Sequence, residues 1–166
     1  MKRWLFRLIA IAVLMLLCLW IWRTFSPSPE KIIRNRLNQV AKLASFDSKE
    51  GDFARMANVL NLVGYFTTDA ECIFISSDVD PWTAHGRDDL RGAALYARSR
   101  LTALHVEFFD ATVVFAPDKQ TATVKLTVRA SRPGDKDFLV EEMKVHLRNV
   151  SGTWLIARAE TVKTLT

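Results

Sequence analysis

From His105 to Val162 the apolar residues recur at every second position, and no other feature constrains the fold as tightly. A period of two belongs to extended strands, whose side chains alternate between two faces. The pattern predicts strands over His105–Phe115, Thr121–Ala130, Phe138–Asn149 and Thr153–Val162. Turn residues separate them: Pro117-Asp118-Lys119-Gln120, Arg132-Pro133-Gly134-Asp135 and Ser151-Gly152. Ala122, Val124, Leu126 and Val128 share one face, as do Met143, Val145 and Leu147. Thr121, Thr123, Lys125, Thr127 and Arg129, with Glu142, Lys144, His146 and Arg148, take the other. Such strands, joined by short turns, make an antiparallel meander with one polar face.

Upstream the period is helical. Ile33, Leu37, Val40, Ala41 and Ala44 predict a helix over 29–45, with Ser28 as N-cap and Pro29 as first residue. Asp52 suits the cap of a second helix, whose stripe is Phe53, Met56, Ala57, Leu60, Val63 and Gly64 and whose end falls near 65–68. Ala70–Ser77 reads as a short strand and Asp78–His85 as a loop. Gly86 opens a third helix with Leu90, Ala93, Ala94, Ala97 and Leu101 on one face. The order gives an α+β layer, one sheet face covered by three helices.

The N-terminus carries a separate signal. Leu8–Trp22 contains no polar residue but is slightly short for a hydrocarbon core of roughly 30 Å, and Trp4–Phe25 is long enough to span it with Arg7 and Arg23 snorkelling to the headgroups. Trp4, Trp20 and Trp22 suit the membrane interfaces. A cleaved signal peptide shares the basic start, Lys2-Arg3, but Arg23-Thr24-Phe25-Ser26 offers no small-residue cleavage pair. The reading is a transmembrane anchor over 1–25, a stiff linker over 26–29 and one domain over 30–166. Basic residues before the span place the N-terminus inside and the domain outside the cytoplasmic membrane, single-pass. The net charge of +5 resides mostly here: residues 1–29 hold four bases and no acid, leaving +1 for the rest. The domain therefore lacks a nucleic-acid signature. Cys18 and Cys72 form no metal-binding spacing, and neither metal nor cofactor is expected.

The body resembles the nuclear transport factor 2-like superfamily, with its SnoaL-like and ketosteroid-isomerase-like proteins, over roughly 29–162. Element order and three local patterns carry the resemblance: Thr68-Asp69-Ala70 before a strand, His85-Gly86-Arg87-Asp88-Asp89-Leu90 at a helix start, and the closing Ser151-Gly152-Thr153-Trp154-Leu155-Ile156. It implies a cystatin-like cone roll, a curved antiparallel sheet wrapped on three helices with a pocket at the wide end. The family holds enzymes, ligand binders and assembly domains, so fold alone does not give function. An anchor followed by this fold is also similar in layout to inner-membrane assembly proteins of type IV secretion systems.

Pocket chemistry in such a cone needs an inward carboxylate or imidazole among apolar walls, where burial shifts its pKa towards neutrality. The candidates are Tyr65, Asp69, His85 and Asp110, with His105 and Glu141 behind them. Each has a plainer role. Asp69 suits a cap between the second helix and the strand, His85 an exposed loop, Asp110 a solvent-facing bulge and Tyr65 a core aromatic. The triad of ketosteroid-isomerase-type groups does not map onto this chain, nor does a histidine–aspartate couple. Arg87, Arg91, Arg98 and Arg100 read as a solvated basic flank of the third helix, and Trp82 as a loop aromatic that could mark an interface or close the cone.

These features predict a membrane-anchored, non-enzymatic interaction or assembly domain; the alternative is a membrane-tethered SnoaL-like enzyme or small-molecule binder. The partners expected are the bilayer through residues 4–25, a second copy through the sheet face, and proteins of a membrane complex. An open pocket favours the alternative, whereas one filled by Phe and Trp favours assembly.

Overall fold

The computed structural model describes residues 14, 15, 17, 28–76, 80–134 and 138–162. The expected anchor over 1–25 and linker over 26–29 lie outside the described residues, apart from Leu14, Met15, Leu17, Ser28 and Pro29. Among the described residues no helix is long and apolar enough to cross a membrane. The chain divides into two units, Met1–Ile32 and Ile33–Thr166, and the second carries the sheet.

Helix α1 spans Pro29–Ala44. Ser28 caps it as the sequence predicts: its Oγ accepts from the Lys31 N–H at 3.3 Å. Ile33, Leu37, Val40 and Ala41 are its buried residues. Where α1 ends, the Ser45 hydroxyl donates to the Ala41 carbonyl and accepts the Val106 N–H at 2.9 Å. Phe46 then bridges Leu104. Helix α2 spans Asp52–Val63. Two expectations fail on it. Gly51, not Asp52, is the N-cap, and Asp52 pairs instead with Arg55 at 3.3 Å, one turn on. The expected stripe is also rotated: Val59 and Val63 are buried, while Phe53 is 90% exposed and Met56 and Leu60 about half exposed. The helix is apolar on two neighbouring faces, so its period alone does not select the one that packs. Helix α3 spans Gly86–Arg100. Gly86 has φ +74°, and a Cβ there would lie 3.1 Å from the Thr68 carbonyl oxygen, so both conformation and space require glycine.

One sheet holds β1 (Phe66–Phe74), β2 (Trp82–His85), β3 (His105–Phe115), β4 (Thr121–Ser131), β5 (Phe138–Val150) and β6 (Thr153–Thr161), in the order β2-β1-β6-β5-β4-β3. The last four are the predicted meander. The sheet is nevertheless mixed, not wholly antiparallel: β1 runs parallel to β6. The chain enters β1 from a helix, not from a hairpin, so no turn forces it to reverse against β6. β1 also starts four residues before the predicted Ala70. Asp69 is therefore a strand residue and caps nothing. The expected loop over 78–85 contains β2, a four-residue edge strand antiparallel to β1, too short to show alternation.

The register shifts at Phe109/Thr112 in β3 and at Ala157 in β6, opposite His146/Leu147, bend the sheet around the helices. Asp110 sits in the first bulge with φ +52°. Ser151 and Gly152, at φ 52° and 84°, make the tight β5–β6 turn. The inner face buries Ala122, Val124, Leu126, Val145, Leu147, Trp154 and Ile156 against Ile33, Leu37 and Val59. The Trp154 ring meets Phe115 edge-on at 5.7 Å. The outer face is less uniformly polar than expected, since Phe109, Val114, Phe138 and Val140 are exposed on it.

Candidate functional site

The helices do not fill the sheet's concavity. A cavity of about 320 Å³ remains, walled by all three helices and by β1 to β6. Its interior consists of Leu37, Val40, Val63, Phe66, Leu126, Val145, Ile156 and Ala159. Trp82, 41% exposed, and the half-buried Ile73, Phe74, Ala93, Ala94, Phe108 and Met143 mark its open end. Trp82 stacks on Phe74 at 6.1 Å. It thus belongs to the rim of the cavity and to an edge strand, not to a free loop.

Small side chains make the space. Helix α3 presents Ala93, Ala94 and Ala97 where larger residues would meet the sheet. Two wall groups are not hydrocarbon. The Cys72 thiol, on a residue 7% exposed, has its pKa pushed up to about 11 by burial. Arg98, 5% exposed, donates from Nε to Glu50 Oε2 at 3.2 Å and from a terminal nitrogen to the Leu43 carbonyl at 2.6 Å. Its guanidinium also lies 4.8 Å from the centre of the Phe46 ring. The expectation of a solvated basic flank fails for this residue. Arg98 follows Leu90 and Ala94 at four-residue steps, and that phase was the signal that it turns inward. Arg87 also leaves the flank, since it clamps the Phe66 carbonyl through Nε at 2.9 Å and a terminal nitrogen at 2.6 Å. Arg91 pairs with Asp88 at the surface, and Arg100 lies over Tyr96.

None of Tyr65, Asp69, His85 and Asp110 lines this cavity. Tyr65 follows α2 and carries the Arg36 guanidinium 5.1 Å from its ring centre. Asp69 is exposed and pairs with Arg148 at 2.5 Å, and that guanidinium holds its carboxyl below the usual range, the nearby Thr67 hydroxyl adding to the effect. The exposed His85 ring lies 3.9 Å from Glu71, while its backbone N–H donates to Asp89. Asp110 is exposed at the bulge, the plainer of its two readings. His105 is exposed beside Glu107 at 3.3 Å. Glu141 shares the inward register of Met143 but does not line the cavity.

Asp69 and His85 instead join a charged network on the outer face. Arg158 holds Glu71 at 2.6 Å and Glu160 at 2.9 Å, and Lys144 reaches Glu160 at 3.7 Å. His146 lies between Lys144 and Arg148 along β5, its ring 3.1 Å from the Thr123 hydroxyl. Partial burial first, and Lys144 second, lower its pKa.

No family model matches the chain, and neither does any curated protein. Solved structures do. A cystatin-like protein of unknown function from Nostoc punctiforme matches with a TM-score of 0.63 and 13% identity, over 82% of this chain and 91% of that one. A nuclear transport factor 2-like protein with a cystatin-like fold from Novosphingobium aromaticivorans matches at 0.62 and 18% identity, over 80% and 79%. A candidate scytalone dehydratase from the same organism matches at 0.60 and 15%, over 82% and 84%. At such identities the likeness speaks for the fold, and that fold is the cystatin-like, nuclear transport factor 2-like α+β roll.

Proposed function

We propose that this chain is a membrane-tethered binding protein that holds an apolar small molecule inside the roll. One observation carries the reading: the cavity of about 320 Å³ is open at one end and lined almost wholly by hydrocarbon and aromatic rings. Filling it removes apolar ligand surface from water at about 25 cal/mol per Å². The titratable residues picked out as possible catalysts face elsewhere, which favours binding over turnover. The apolar run Leu8–Trp22, within Trp4–Phe25, supports the tether.

Methionine methyl NMR on the full chain in lipid nanodiscs tests the binding. Met143 lines the cavity, whereas Met56 lies on the exposed face of α2. Titration with 2-acetylnaphthalene, a compact apolar probe, shifts the Met143 methyl and leaves Met56 in place. Ala94→Phe fills the space and abolishes the shift. An unmoved Met143 in the wild type refutes the reading. Retention of the full chain in membranes through alkaline carbonate tests the tether, and release of a shortened chain beginning near Ser26 refutes it.

A second reading, docking onto a partner protein, rests on Phe53, Met56 and Leu60. These residues line one exposed face of α2. Loss of membrane-complex association in Phe53→Glu, with the Met143 response intact, would assign them that role.

A further inference from the structure

The interior of the cavity offers an entering molecule almost nothing to pair with. On its sheet side, β1, β6, β5 and β4 each have a neighbouring strand on both sides, so the ladders take up most of their backbone N–H and C=O groups. On its helical side, Leu37, Val40, Leu90 and the alanines of α3 sit where backbone groups are spent within the helices. Arg98 adds no partner. The cavity surface is almost wholly apolar, so this residue contributes its hydrocarbon stem. Its nitrogens serve Glu50 and the Leu43 carbonyl, neither of which lines the cavity, and its guanidinium lies over the Phe46 ring. The buried Cys72 thiol stays protonated at neutral pH and is a weak donor. The open end differs, because water meets the cavity there, beside the partly exposed Trp82.

This difference between interior and mouth selects the ligand. A polar group carried inside loses its water and finds no partner, which costs free energy. The same group left at the mouth keeps its water and costs little. A hydrocarbon body gains from burial throughout. Building on the cavity reading above, we propose that the ligand is polar at one end only: a compact hydrocarbon body enters first, and its single polar group stays at the mouth beside Trp82 and Phe108. A molecule with polar groups at two opposite ends is rejected, because one of them must be buried unpaired.

Three probes of one shape test this on the full chain in nanodiscs: 1,4-diethylbenzene, 4-ethylacetophenone and 1,4-diacetylbenzene. The para arrangement holds the two ends apart, so no orientation leaves both at the mouth. Affinities are read from the Met143 methyl at measured free concentrations. The first replacement of ethyl by acetyl places a carbonyl in water at the mouth, whereas the second forces one into the interior. The second replacement therefore lowers affinity by a factor at least about 10-fold larger than the first does. Two losses that differ by less than about 10-fold overturn this inference alone, since they mean that the interior supplies a partner for the second carbonyl. Ala94→Phe abolishes the response to every probe, and a response that survives it overturns both the cavity reading and this inference. An unmoved Met143 with all three probes in the wild type does the same. Should Ala94→Phe fail to fold, the wild-type series still decides.

Discussion

Arg98 and Glu50 meet 3.2 Å apart with both side chains withdrawn from solvent, and through them α3 is joined to the segment between α1 and α2. Replacing Arg98 alone strands a buried carboxylate. Arg98→Leu is expected to lower stability by about 3–5 kcal/mol in urea denaturation. Arg98→Leu with Glu50→Leu should cost less than the single change, because no unpaired charge is left. A double variant less stable than the single one would show that the pair contributes more than mutual neutralisation.

Trp154 is 4% exposed and packs edge-on against Phe115. Trp154→Ala should cost about 3–5 kcal/mol through lost burial and the void left behind. A loss below about 1 kcal/mol in the same denaturation experiment would contradict its place in the core.

His146 titrates below its ordinary value of 6.5, because burial and Lys144 disfavour the charged ring. The unfolded chain therefore takes up a proton at a higher pH than the folded chain does. Its contribution to stability is complete above 6.5 and falls as pH drops from there towards the folded-state pKa. His146→Gln should flatten the pH dependence of the urea midpoint between about pH 7 and pH 5.5. An unchanged slope would place the imidazole in ordinary solvent.

Cys72, with its pKa near 11, carries almost no thiolate at neutral pH. Alkylation by iodoacetamide at about pH 8, followed by mass spectrometry of the Cys72 peptide, should be at least about 100-fold slower in the folded chain than in the unfolded one. Saturation with 2-acetylnaphthalene should slow it further, since Cys72 lines the cavity. Faster alkylation in the folded chain would mean that the thiol is activated, not shielded.

Gly86 combines φ +74° with an approach to the Thr68 carbonyl. Gly86→Ala should therefore destabilise by about 1–3 kcal/mol, whereas the same change at Gly92, where no atom lies within 4 Å, should be neutral or stabilising. Equal effects at the two helical glycines would remove the special role of position 86.

The strands of the meander were legible because each is long enough to repeat its alternation, and turn residues such as Ser151-Gly152 fix the reversals. The start of α3 was legible from Gly86. β2 was not, since four residues on a sheet edge bury only Ala84 and leave no period to read. The face of α2 was ambiguous, because Val59 and Leu60 are equally apolar and only packing chose Val59. The site was the least legible part. Titratable residues attract notice in a sequence, yet Asp69, His85 and Asp110 proved to serve the outer network and a bulge. Arg98 was hidden among other arginines, although its phase with Leu90 and Ala94 pointed inward.

By itself the sequence determined the helix-then-strand order, the α+β class, the direction of most strand faces and the apolar N-terminal run, because these follow from local periodicity and turn chemistry. Only the tertiary structure decided that β1 joins β6 in parallel, that α2 leaves Phe53 in water, and that Arg98 is buried against Glu50 beside an open cavity. Those outcomes depend on contacts between residues far apart in the chain, such as Glu50 with Arg98 and Phe66 with Ile156. No local pattern encodes which distant surfaces meet, nor how much space the alanines of α3 leave between them.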